Sequence, residues 1–241
     1  MDFVELREAA AAANAALGRS GLVILSFGNV SVLDRSTGLV AIKPSGIPCE
    51  EVRPADVPIV ELATGVTVDG STSPSTDTPT HRMLYLEFPW ITAIVHTHSP
   101  YATAWAQARR PIPCLGTTHA DHFRGPVPVT RLLAASEIAG AYEEWTGRAI
   151  AELYRGEGRA PLDFPAVLVA GHGPFAWGLA AHDAIENATA LEKVAEIATH
   201  QAQLGPLTEI SAELRDRHFG RKRGPDAYYG QSPSQRARRR D

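Results

Sequence analysis

The sequence predicts one α/β domain built in layers. Three observations carry that expectation. Short β-rich runs occur early in the chain and recur late, with helical stretches between them. The two longest helical stretches, residues 135–154 and 182–203, flank a short apolar run at 166–170. No internal repeat or Pro/Gly-rich linker divides the 241 residues. With 44% of its residues apolar the chain can fill a sizeable core, which excludes disorder as its overall state.

Taken in order, residues 2–17 are Ala-rich with Phe3, Leu6 and Leu17 among them, and Gly18 stands where a helix C-cap would sit. Residues 22–27 and 30–33 are β-rich runs on either side of Gly28-Asn29, and 39–42 follows the turn-like Asp34-Arg35-Ser36-Thr37-Gly38, so a strand meander is expected. Two further short strands, 57–62 and 66–68, bracket Thr64-Gly65. A Ser/Thr/Pro-rich loop at 71–78 leads to Pro79, a residue suited to open a helix. A buried-type strand at 91–96, a short helix at 101–108 and a short strand at 126–129 come next. The domain is expected to span 1–231, with 232–241 a disordered tail because it holds no large apolar side chain.

Net charge is -4, from 23 Lys plus Arg against 27 Asp plus Glu, so no chain-wide basic field points to nucleic acid. The last ten residues set four arginines against one aspartate, so they carry +3 and the rest -7. Cys49 and Cys114 make no CxxC spacing and no disulfide framework, as expected in a reducing cytosol. The opening Met1-Asp2-Phe3-Val4-Glu5 lacks the pattern of a signal peptide, and no apolar run approaches the ~20 residues that cross a bilayer. A soluble cytoplasmic protein without a membrane partner is expected.

The sharpest local motif is Ile94-Val95-His96-Thr97-His98. On a strand, His96 and His98 project to the same side, roughly 7 Å apart at Cα, and can share a metal, or stand as two surface histidines on a half-exposed strand. His172, in Gly171-His172-Gly173-Pro174, lies just past a buried strand, where α/β sheets tend to carry ligands. Asp77, in Ser75-Thr76-Asp77-Thr78-Pro79, can complete a three-His, one-acid set or cap a helix. Such a nitrogen-rich set suits Zn²⁺ first, then Mn²⁺ or Co²⁺. Gly28-Asn29, Lys43-Pro44-Ser45-Gly46 and Ser75-Thr76 are loops of small and hydroxyl residues with one lysine. They can form a phosphate cradle, or they can be ordinary turns.

In order along the chain, Gly28-Asn29-Val30-Ser31, Lys43-Pro44-Ser45-Gly46, Asp77-Thr78-Pro79-Thr80-His81, Val95-His96-Thr97-His98-Ser99 and His172-Gly173 resemble the class II aldolase/adducin family. Gly116-Thr117-Thr118-His119-Ala120-Asp121, the ending Ala227-Tyr228-Tyr229-Gly230-Gln231 and the Asp at 77 are similar to its L-ribulose-5-phosphate 4-epimerases. The resemblance implies a three-layer α/β/α sandwich around a predominantly antiparallel sheet. It implies divalent metal, typically zinc, on Asp77, His96, His98 and His172. Gly28, Asn29, Lys43, Ser45, Gly46, Ser75 and Thr76 would hold the substrate, mainly by its phosphate. Asp121 and Tyr229 match the acid/base pair, with Thr117, Glu143, His218 and Arg221 in support. His122 and Arg124 depart from the family, replacing aromatics.

A homotetramer of cyclic symmetry is implied, with active sites at subunit interfaces, Tyr229 and His218 reaching into the neighbour's metal site. The activity implied is interconversion of L-ribulose 5-phosphate and D-xylulose 5-phosphate, a step of L-arabinose metabolism, by retro-aldol cleavage through an enediolate and glycolaldehyde phosphate. The alternatives are an L-fuculose-1-phosphate type of aldolase, which usually carries Glu at position 77, and a noncatalytic adducin-like module, which need not keep metal ligands.

Overall fold

A computed structural model describes residues 1–224 and 227–229. Helix α1 (Phe3–Arg19) starts at Asp2, whose side chain accepts from the Glu5 amide while Glu5 reaches back to the Asp2 amide. Its buried Leu6, Ala10, Ala13 and Leu17 recur every three or four residues and form one face. Buried Asn14 stitches that face to the sheet: its amide donates to Val30 O at 3.0 Å and its oxygen accepts from Val30 N at 2.8 Å. The helix runs past Gly18, and Gly21, at φ +76°, takes the left-handed turn after it.

Strands β1 (Gly28–Asp34), β2 (Leu39–Ile42), β3 (Ile59–Glu61) and β4 (Thr67–Asp69) form the meander. Helix α2 (Thr78–Glu87), strand β5 (Ala93–Thr97), helix α3 (Pro100–Gln107) and a single turn of helix, α4 (Thr117–Ala120), follow. After them come α5 (Ala135–Ala139), α6 (Tyr142–Gly156), β6 (Ala166–Leu168), β7 (Pro174–Gly178), α7 (Ala181–Leu204) and α8 (Ala212–Arg223). The described strands make one sheet in the order β4-β3-β2-β1-β5-β7-β6, antiparallel throughout.

Alternation along the strands splits the core in two. Val30, Val32 and Val95 join Leu6, Trp105 and Leu191 beneath α1, α3 and α7. Leu33, Ile94, Phe175 and Trp177 join Leu84 and Tyr154 beneath α2 and α6. The result is the expected three-layer α/β/α sandwich. Both cysteines are buried and free, and no helix among the described residues is long and apolar enough to cross a membrane.

Several expected elements differ. Residues 22–27 form no strand, because both edges of β1 are already taken by β2 and β5. Instead Phe27 N closes a tight turn on Ile24 O, with Leu25 at φ 54° and its side chain exposed. Gly28-Asn29 is therefore the start of β1 and not a hairpin turn, and Asn29 lies opposite His96 on β5. Residues 126–129 make only isolated bridges, to Ile112 and Leu168. The single helix expected at 135–154 is broken at Gly140-Ala141 into α5 and α6. The Arg-rich 232–241 segment lies outside the described residues.

Candidate metal centre and anion cradle

Strand β5 brings His96 to the sheet's end, and His98 follows one residue beyond it. The chain turns back between β6 and β7 through Gly171, at φ +77°, which sets His172 beside them. The three imidazole centroids are 4.7–5.0 Å apart, and one ligand atom from each lies within 4.8 Å of the others. His96 Nδ1–H donates to Pro174 O at 2.9 Å while the ring stacks on Phe175, so its Nε2 lone pair faces the group. His98 stacks on Phe27, and the Tyr142 hydroxyl lies 3.4 Å from His172 Nδ1.

Burial pushes the imidazoles of His96 and His98 below their ordinary range, and burial with the two neighbouring imidazoles pushes His172 down to about 4. All three are neutral donors at neutral pH. Three neutral nitrogens converging beside a carboxylate fit a divalent ion, zinc before harder metals.

Asp77 occupies the N-cap position of α2, yet its side chain makes no capping bond. It turns toward the cavity, and its Oδ2 accepts from Asn29 Nδ2 at 2.7 Å. Burial alone would raise this carboxyl, but His96, His81 and the Asn29 bond hold it below the usual carboxylate range. The sequence motif thus resolves into a carboxylate free to act, lying just outside the three-imidazole cluster.

One cavity of about 430 Å³ is lined by Asp77, His96, His98 and His172 and by Gly28, Asn29, Lys43, Ser45, Gly46, Ser75 and Thr76. The loops at 43–46 and 73–76 are held together by Ser45 N to Ser73 O and Ser75 N to Lys43 O, both 2.9 Å. Lys43 is buried, and its Nζ meets only Pro44 O at 3.2 Å among the hydrogen bonds and ion pairs of the described residues. Burial lowers its pKa. A buried ammonium without a carboxylate partner, among hydroxyls and turn amides, is chemistry that receives an anion.

Asp121, His218, Arg221 and Tyr229 do not line that cavity; they form a second group. Asp121 Oδ1 accepts from His218 Nδ1 and Arg221 Nε at 3.0 Å, and Oδ2 accepts from Arg221 Nη2 at 2.8 Å. Burial would raise this carboxyl, but Arg221 and His218 outweigh it and hold it below the usual range. Arg221 stacks over the half-exposed Tyr229 ring at 4.5 Å. Thr117 opens α4, whose C-cap is Asp121, while Glu143 lines the first cavity with Tyr142. His122 accepts from Lys222 Nζ at 3.0 Å and Arg124 pairs with Asp163 at 2.8 Å.

Sequence reading missed Tyr142 as a cavity residue, because an unbroken 135–154 helix hides the restart of the chain at α6. It also left His81 unassigned, although His81 lies four residues after Asp77 and so on the same face of α2.

The model of the Class II Aldolase and Adducin N-terminal domain family matches residues 8–199. Among solved structures, an L-fuculose 1-phosphate aldolase superposes with TM-score 0.75 and 26% identity, over 90% of this chain and 95% of that one. YgbL from Klebsiella pneumoniae, whose description leaves open aldolase, epimerase or decarboxylase, superposes with TM-score 0.69 and 27% identity, over 90% and 99%. The L-fuculose-1-phosphate aldolase of Thermus thermophilus, 24% identical with TM-score 0.64 over 85% and 99%, shares the fold.

Proposed function

The chain belongs to the class II aldolase and adducin N-terminal domain family, and on that premise we propose that it is a metal-dependent sugar-phosphate enzyme, an L-ribulose-5-phosphate 4-epimerase. The observation that carries this reading is the single cavity in which three neutral imidazoles, Asp77 and the Lys43 cradle meet. When bound, a divalent ion, zinc by preference, would supply Lewis-acid stabilisation of negative charge on the substrate's carbonyl and hydroxyl oxygens. Asp77, His96, His98 and His172 would hold it.

The remaining chemistry falls to the chain's own residues. The C4 hydrogen of the ketose is not adjacent to the C2 carbonyl and is not acidic, so inversion at C4 requires breaking the C3–C4 bond. The C4 hydroxyl proton passes to a base, the bond's electron pair stays with the C1–C3 fragment, and the C4–C5 fragment becomes glycolaldehyde phosphate. The Lys43, Ser45, Ser75 and Thr76 cradle keeps that fragment by its phosphate while the aldehyde turns over. Addition to the opposite face re-forms the bond and returns a proton to the C4 oxygen. Asp121 and Tyr229 serve as the proton-transfer pair.

In a homotetramer the Asp121 group of one chain would complete the cavity of its neighbour. The hydrogen bonds of Asp121 to His218 and Arg221 within one chain support moving these residues together, with Tyr229, as a unit. Asp121 is thus contributed by the same chain as Tyr229.

An aldolase of the L-fuculose-1-phosphate type is the second reading, favoured by the 26% identity to such an enzyme. Asp at 77, where family aldolases usually carry Glu, favours the epimerase. Incubating the zinc-loaded protein with L-ribulose 5-phosphate and identifying the products separates the two. D-xylulose 5-phosphate with little free glycolaldehyde phosphate is expected. Accumulation of both fragments without xylulose 5-phosphate would assign the aldolase, and no turnover with bound zinc would refute both.

A further inference from the structure

A polar seam runs through the otherwise apolar layer between β1 and α2. Asn29 and Ser31, two apart on β1, share one side of the strand; Asp77, His81 and Tyr85, spaced by four, share one face at the start of α2. They meet in register: Asn29 Nδ2 donates to Asp77 Oδ2, and Ser31 Oγ lies 2.7 Å from both His81 Nδ1 and Tyr85 Oη. His81 is fully buried, its ring edge against Phe175, the same ring that stacks on His96.

Two proton orders satisfy the contacts along the seam. The Tyr85 hydroxyl has Ser31 Oγ at 2.7 Å and the Ser31 carbonyl oxygen at 3.1 Å, and its one proton can go to either. If it goes to Ser31 Oγ, Ser31 Oγ–H donates to His81 Nδ1 and the ring proton sits on Nε2; if it goes to the carbonyl, Ser31 Oγ–H donates to Tyr85 Oη and His81 Nδ1–H donates to Ser31 Oγ. That Nε2 is buried with no hydrogen-bond partner. A buried polar atom without a partner costs on the order of 1–3 kcal/mol, and only the first order gives Nε2 a proton to offer a carboxylate. One turn earlier on the same face stands the Asp77 carboxylate.

Resting on the metal-centre reading above, we propose that His81 is a positioning residue: the Tyr85–Ser31–His81 chain presents an Nε2–H that Asp77 takes as its partner when it turns from Asn29 onto the ion.

Two substitutions at position 81 separate this role from simple packing. Glutamine can place an N–H near the Nε2 position, whereas asparagine places its amide near Nδ1 only. Zinc affinity of the apo chain, read by competition with a chromophoric chelator, should fall about 10–100-fold in His81→Asn and stay within about threefold of wild type in His81→Gln. Equal affinities in wild type and His81→Asn, or equal losses in both variants, would overturn the proposal. Should His81→Asn fail to fold, ¹⁵N shifts of the His81 ring in the zinc-loaded wild-type protein decide it. The Nε2–H tautomer is expected, and the Nδ1–H tautomer overturns it. A wild-type chain that binds no zinc would overturn the metal centre itself and this inference with it, an outcome distinct from a zinc-binding chain indifferent to position 81.

Discussion

Replacing Gly173 by alanine tests the geometry of the imidazole cluster without touching a ligand. A Cβ there would lie 2.8 Å from the Thr97 carbonyl oxygen and 3.5 Å from both His96 Cε1 and His98 Cδ2. The Thr97 oxygen belongs to backbone between the two histidines and cannot swing aside as a side-chain tip would. Bringing a 2.8 Å contact back to an ordinary carbon contact of about 3.5 Å requires the 172–174 turn to move off β5 by at least half of that difference, roughly 0.4 Å. Metal–ligand distances tolerate about 0.2 Å. The apo protein can relax by that movement, but binding an ion must reverse it. If about 1.4–2.8 kcal/mol of the 1–3 kcal/mol typical of overpacking falls on the bound state, zinc affinity drops about 10–100-fold. Chelator competition gives the affinity, and thermal unfolding in EDTA gives the apo stability. Gly156→Ala, where no atom lies within 4 Å of the added carbon, serves as the control and should bind zinc as wild type does. A Gly173→Ala chain with wild-type zinc affinity would refute the placement of His172 against β5.

Lys43→Met should raise KM for a phosphorylated ketose by about 10- to 150-fold, the scale of losing one charge-assisted contact worth about 1.5–3 kcal/mol, and leave zinc content unchanged; steady-state kinetics with metal analysis checks both. Mixed oligomers of Asp121→Asn and His98→Asn chains should regain activity, because one interface can pair an intact cavity with an intact Asp121 group. Asp121→Asn mixed with Tyr229→Phe should not, since both lesions fall in the same group; the reverse pattern in subunit-exchange assays would contradict this division. His119, buried with its Nε2 donating to Gly125 O, is held down to about 4 by burial, so the unfolded chain takes up this proton first as pH falls. Its contribution to stability is lost between about pH 6.5 and about pH 4, at up to about 1.4 kcal/mol per pH unit. Urea unfolding of the apo protein across that range should show a shallower loss for His119→Gln than for wild type, and identical slopes would count against it.

The cavity residues were legible in the sequence because each lies at a place where backbone geometry restricts the choice. His96 and His98 keep strand alternation, His172 follows a left-handed glycine, and Lys43 and Ser75 sit on loops tied by two backbone hydrogen bonds. The helix α1 and strand β2 were legible for the same local reasons. Other parts depend on tertiary context. Residues 22–27 have strand composition, but no sheet edge is free to receive them. Strand β7 draws no strand expectation from the sequence because Gly173, Pro174 and Gly178 punctuate it; those glycines serve close packing against Thr97 O and Asp183, and Phe175 and Trp177 still alternate into the core. Helix α8 is dominated by charge and has little apolar face of its own. It is anchored by polar contacts to residues about a hundred positions away, Arg221 to Asp121 and Lys222 to His122, which no local pattern announces.

The central claim, that this cavity inverts a ketose phosphate by breaking a carbon–carbon bond, is tested most directly by running the zinc-loaded enzyme on L-ribulose 5-phosphate in D₂O and reading position 4 of the product by NMR. Cleavage and re-addition never remove the C4 hydrogen, so D-xylulose 5-phosphate should form with protium retained at C4. Deuterium entering C4 during turnover would contradict the account.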